Sequence, residues 1–193
     1  MLSRFIAAFA AFVALAPAGQ ADTIDFGEVG SGFQSATFLA LSNVDIVTDA
    51  DDLFVYGPGA GEGGVNGGFC AIIGTNCLGN AAIGFNAGTV SNLSFEVFGF
   101  DLDDGGAASI FDAADSLLGS VAITADGVVS FGAISGIASL VLINTSLEAG
   151  GGIAYRDFSF TEDTTSPPAV PLPAALPFLL TALGTLALAR RRG

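Results

Sequence analysis

The sequence predicts an all-β protein, an antiparallel β-sandwich set between an N-terminal signal peptide and a C-terminal transmembrane helix. Three observations predict it. Short segments in which apolar and polar residues alternate recur through the middle of the chain, and a period of two marks a strand with one buried face. Phenylalanine (17) and glycine (27) are abundant while charged residues make up only 12%, a balance that favours strands and turns over helices. The longest uncharged apolar runs stand at the two extremes of the 193 residues, where targeting segments belong.

The strand signals come in order. Ile24 and Phe26 flank Asp25, and Val44 and Ile46 flank Asp45. Leu93, Phe95 and Val97 alternate with Ser94 and Glu96. Ile110 and Phe111 lead through Asp112 to Val121 in a segment that reads as a hairpin, and Val121 and Ile123 precede Thr124. Leu140 to Ile143 is a continuous apolar run, and Phe158 and Phe160 alternate with Ser159 and Thr161 in a closing strand. Turn residues separate these segments, among them Asp126-Gly127, Ser135-Gly136 and Gly150-Gly151-Gly152. Gly57 to Gly68 reads as a flexible loop; no Gly-Lys-Ser/Thr follows it, so it is not a phosphate loop. The domain implied spans 22–163, with a linker at 164–169, and is long enough to bury a core.

Charge and composition exclude several function classes. All 19 acidic residues lie between Asp22 and Asp163, and Arg156 is the one positive residue in that stretch, which leaves the domain at −18. Nucleic acid is excluded as a partner, because phosphate binding needs clustered Lys or Arg. An anionic membrane surface would be repelled in the same way. The chain has no histidine, so Ser-His-Asp and Cys-His catalysis and histidine zinc sites are absent. It has no tryptophan to stack a sugar. A hydrolase built from two carboxylates remains compatible with the composition, but no particular pair is marked. The expectation is a protein that is not an enzyme.

Two features carry candidate chemistry. Cys70 and Cys77 enclose six residues, and an isolated pair this close in an exported chain is expected to form a disulfide. Two acidic clusters stand out: Asp45, Asp49, Asp51 and Asp52, and then Asp101, Asp103 and Asp104 with Asp112 eleven residues after Asp101. The second set places carboxylates at positions 1, 3 and 12 and glycine at position 6 of a calcium loop. Position 5 is Gly105 and the flanks read as strands, so the expectation is calcium held by loop carboxylates, Asp101, Asp103, Asp104 and Asp112, on a sandwich. No other cofactor is expected.

The ends supply the address. Arg4 followed by the apolar run Phe5 to Leu15 and the small residues Ala16 to Ala21 reads as a signal peptide over 1–21. At the other end Val170 to Ala189 holds no charge and Arg190, Arg191 and Arg192 follow. Twenty helical residues reach about 30 Å, the hydrocarbon thickness, and the arginines stay cytoplasmic, which puts the acidic domain outside.

The tail Val170-Pro171-Leu172-Pro173-Ala174, an apolar stretch and Arg190 to Arg192 resembles the VPLPA-type variant of the PEP-CTERM sorting signal over 170–193. That resemblance implies an exosortase-type membrane transpeptidase as a partner and an association with extracellular polysaccharide. Gly152 to Phe160 is similar to the closing strand of jelly-roll modules of secreted bacterial proteins, some of them carbohydrate-binding, with Arg156 as an interruption. The function expected is an exported, surface-anchored or released, non-enzymatic β-sandwich of the cell envelope or extracellular matrix. The alternatives are a calcium-dependent carbohydrate-binding module and a carboxylate-type glycan hydrolase.

Overall fold

The computed structural model describes residues 21–34, 37–59, 61–147 and 151–163. The leader as far as residue 20, the linker and the 170–193 signal lie outside them. The described residues form two antiparallel sheets. The larger runs β11 (Gly127–Ser130), β8 (Val90–Phe98), β13 (Ala154–Glu162), β6 (Gly68–Ile72), β5 (Asp52–Tyr56), β2 (Gly32–Gln34). β1 (Ala21–Thr23) pairs with the second half of β13, beyond the short β6 pairing. The smaller runs β10 (Leu117–Ile123), β9 (Gly106–Phe111), β12 (Ser139–Asn144), β7 (Ala81–Phe85), β4 (Val44–Thr48), β3 (Phe38–Ala40). Among the described residues no helix is long and apolar enough to cross a membrane.

Alternation builds the core as expected. In β4, Val44 and Ile46 are buried while Val47 faces out; in β8, Leu93, Phe95 and Val97 are buried between half-exposed Ser94 and Glu96. At its centre Phe158 stacks on Phe95 at 5.2 Å and on Phe69 at 6.0 Å, and Phe26 and Tyr155 close on Phe69. Each buried aromatic contributes on the order of 2 kcal/mol through area removed from water, which is how so uncharged a sequence holds a sandwich.

The structure differs from the sequence reading in three places. Phe26 is not in a strand: Asp25 accepts from the Gly27 N–H and caps a 3-10 turn at Phe26–Glu28, which swings the ring into the core. β5, β6 and β7 show no polar–apolar alternation in sequence, because β6 is buried on both faces while β5 and β7, although every second residue is buried, carry Phe54, Tyr56, Ala82 and Gly84 on the other face. The Gly57 to Gly68 segment is fastened instead of loose. The Asp157 carboxylate accepts from the Val65 and Asn66 N–H groups at 2.8 Å each, and Gly68 opens β6. A side chain at Gly68 would collide with the Tyr155 carbonyl and with Arg156.

Candidate functional site

The loop from β8 to β9 gathers part of the expected cation set. Gly99 turns the chain at φ +82°, and the Asp126 carboxylate holds the Phe100 N–H at 2.8 Å. Asp104 accepts from the Asp101 N–H at 2.9 Å through Oδ2, while Asp101 accepts from the Asp103 N–H at 3.1 Å through Oδ1. Asp101 and Asp104 line a concavity of about 580 Å³ with Phe100, Leu102 and Thr124. Tyr155, a residue 1% exposed, reaches this end of the sandwich through the core. Its hydroxyl and Asp104 Oδ1 are both buried without a hydrogen-bond partner among the described residues. Burial, with the Asp104 charge adding to it, pushes the Tyr155 hydroxyl well above the usual tyrosine range.

Asp112 does not join this group. β9, six residues long, lies between it and Asp104, a separation of roughly 20 Å at about 3.3 Å per residue. Asp112 instead turns the β9–β10 hairpin and accepts from the Ala114 and Ser116 N–H groups at 2.8 Å. Those two bonds, Ser116 first, hold its carboxyl below the usual aspartate range. Among the described residues no three Asp, Glu, Cys or His side chains converge as a metal site, so any ion at Asp101 and Asp104 takes the rest of its shell from backbone oxygens and water.

The other acidic cluster is divided between Asp45 in β4, Asp52 at the start of β5, and Asp49 and Asp51 in the turn that joins them. Asp49 holds the Asn80 N–H and side-chain amide at 2.7 Å each, and Asp51 accepts from the Gly74 N–H. The same use recurs at Asp163 on the Gly136 N–H and at Glu28 on Ser42. In a domain without lysine, carboxylates serve as acceptors that tie one loop to another, and charged acceptors make the stronger hydrogen bonds.

Cys70 and Cys77 are bridged, with their Cα atoms 5.3 Å apart. The bridge lies on the outer face of the larger sheet, in a small apolar cluster with Ile72 and Ala154 that Phe54, Tyr56 and Phe98 partly cover. Across that face the rings form a row. Phe33 meets Phe54 at 5.0 Å, Phe54 meets Tyr56 at 4.9 Å and Tyr56 meets Phe98 at 5.2 Å, each edge to face. Arg156 lies over Phe98 at 4.8 Å, grips both Glu96 oxygens at 2.9 and 3.1 Å, and donates to the Glu62 carbonyl at 2.9 Å. The interruption in the closing strand motif is therefore a clamp. The extra residue is taken up by a register shift after Arg156, where Asp157 adopts φ +51°. Composition drew attention to the missing tryptophan and passed over this row, whose members lie far apart in sequence.

No protein-family model matches the chain, and no curated protein matches it. Among solved structures it is similar to one reported as a binding sub-site dissection of a family 6 carbohydrate-binding module by X-ray crystallography and isothermal titration calorimetry. The identity is 16% over 68% of this chain and 94% of that one, with a TM-score of 0.36. A likeness of that size says nothing about what this chain binds.

Proposed function

We propose that the protein is an exported, non-enzymatic β-sandwich of the cell envelope or extracellular matrix, delivered by its N-terminal signal and handed on through its VPLPA-type tail to an exosortase-type transpeptidase. In this reading it contacts extracellular polysaccharide as a binding module. The observation that carries the reading is the Cys70–Cys77 bridge, because such bonds persist in oxidising compartments outside the cytoplasm. The use of carboxylates as loop fasteners agrees with a scaffold more than with acid/base chemistry. Intact mass of protein recovered from membrane fractions and medium tests it. The expected species lacks 1–21, is cut near Val170 to Ala174, and gains mass only after reduction and alkylation. Recovery solely of membrane-bound chains ending in Arg192-Gly193 would leave an ordinary anchor. Two freely alkylating thiols in unreduced protein would remove the argument for export.

One observation favours a calcium-assisted form of the same module. Asp104 Oδ1 is a buried carboxylate oxygen without a partner among the described residues, beside a second carboxylate, Asp101, at the mouth of a concavity. A bound cation would satisfy it, since a buried charged acceptor left unpaired is costly. Melting with calcium against sodium chloride of equal ionic strength is the test.

A further inference from the structure

We infer that the outer face of the larger sheet binds a neutral polysaccharide strand, seated on Phe33, Phe54 and Tyr56 and hydrogen-bonded at its edge by Ser31 and Glu62; this deepens the polysaccharide reading above and rests on it. The sequence of β5 and β2 sets the face. In β5, Leu53 and Val55 enter the core, so Phe54 and Tyr56 face outward. Phe33 pairs with Phe54 across the β2–β5 ladder. Behind these rings the middle strands present Gly68, Cys70, Ile72 and Ala154, and the aromatics pack over the disulfide and meet Phe98.

Covering the disulfide needs Phe54, Tyr56 and Phe98 and nothing further. The row nevertheless continues outward to Phe33, which is 62% exposed. Beside the rings is a concavity of about 410 Å³ lined by Ser31, Phe54, Tyr56, Gly57, Gly61 and Glu62. One wall is aromatic and the other carries a hydroxyl, a carboxylate and glycine backbone. Pyranose rings have that division of surface, a C–H face that packs on aromatic carbon and an equatorial rim of hydroxyls that pair with carboxylates and hydroxyls. The rings follow one another at 4.9–5.2 Å, each edge to face with the next, so the row offers both ring faces and ring edges as apolar contact surface.

The site is also held in place before any ligand arrives. Arg156 ties the Gly61–Gly63 turn to the sheet through the Glu62 carbonyl, and Asp157 ties the Val65 and Asn66 N–H groups that follow. Such fixing lowers the ordering cost of binding. Charge then selects the ligand. Arg156 is matched by Glu96, which leaves Glu62 as the site's unpaired charge; its proximity adds to burial in raising the Tyr56 hydroxyl above the usual tyrosine range. Within a domain of net −18, a polymer bearing carboxylates or sulfates is repelled, and a neutral one is not.

The test uses the full-length exported protein on an array of neutral and uronic-acid polysaccharides, with affinity electrophoresis in gels containing each neutral polysaccharide that retains it. The variants are Phe33→Ala and Tyr56→Ala, and the control is Phe38→Ala, an exposed phenylalanine of β3 on the other sheet. Each variant's melting temperature checks its fold, and Phe33→Ala, at an exposed edge position, keeps the test valid should Tyr56→Ala unfold. The expected result is retention by neutral polysaccharide, weakened tenfold or more by Phe33→Ala and Tyr56→Ala and unchanged by Phe38→Ala. Equal retention of all four proteins overturns this site and leaves the polysaccharide reading standing. Absence of retention on any polysaccharide overturns both. Retention on uronic-acid polymers alone overturns the charge argument, and self-association abolished by Phe33→Ala would assign the face to a second copy of the chain.

Discussion

Tyr155 and Arg156 are neighbours on β13 whose side chains leave opposite faces of the sheet, one into the core and one onto the aromatic row. Nothing in the dipeptide itself announces this; the alternation of a strand decides it. The chain has two tyrosines, and burial is the main cause that raises the hydroxyl of each. For Tyr155 the sign follows directly. The unfolded chain releases its phenolic proton near pH 10 while the folded chain retains it, so unfolding releases protons and stability falls as pH rises past about 10. Tyr155→Phe is expected to flatten that alkaline decline in thermal melts. At neutral pH it removes a buried hydroxyl without a partner among the described residues, so stability should hold or rise by up to about 1 kcal/mol. A variant melting several degrees lower at pH 7 would show that the hydroxyl is bonded.

At the scale of elements, the strands whose outer face carries polar residues were legible, as was the apolar run of β12, while β5, β6 and β7 were not. β4, β8, β10 and β13 show period two because one side meets water. β6 is apolar on both sides and opens with a glycine, so it merges with the preceding glycine-rich loop. Spacing misled in the Asp101 to Asp112 stretch, since eleven residues close a site only if the chain turns back, and here they run straight along β9. The aromatic row could not be seen because sheet order, not sequence, sets Phe33, Phe54 and Phe98 in line. The Gly57 to Gly68 loop illustrates the same point: its anchor, Asp157, lies about ninety residues on, with both N–H bonds at 2.8 Å. Asp157→Ala should cost about 2 kcal/mol, through two lost charge-assisted bonds and a side chain poorly suited to φ +51°. Asp157→Asn keeps an acceptor and tolerates that conformation, so it should cost less than half as much. Equal losses in urea melts would mean that the carboxylate charge, not the geometry, fastens the loop.

For the whole molecule the dominant quantity is charge. A domain at −18 with a single arginine repels itself in dilute buffer, and salt near 0.1 M, with a screening length of about 10 Å, should raise its melting temperature before levelling off. Calcium adds to screening only if a site prefers the folded state, and then the gain grows with the logarithm of concentration. The end loop supplies the contrast that separates the two. Asp104→Asn can keep the bond to the Asp101 N–H while removing the unpaired negative charge that faces Tyr155. Without calcium, that variant should melt at or above the temperature of the unsubstituted protein. With millimolar calcium, the unsubstituted protein should rise by a few degrees over its value in sodium chloride of equal ionic strength, and Asp104→Asn should not. Asp112→Asn, at the far end of β9, should retain the full calcium response. A calcium shift no larger than that given by sodium chloride would leave Asp101 and Asp104 as loop fasteners, like the carboxylates that hold the other loops.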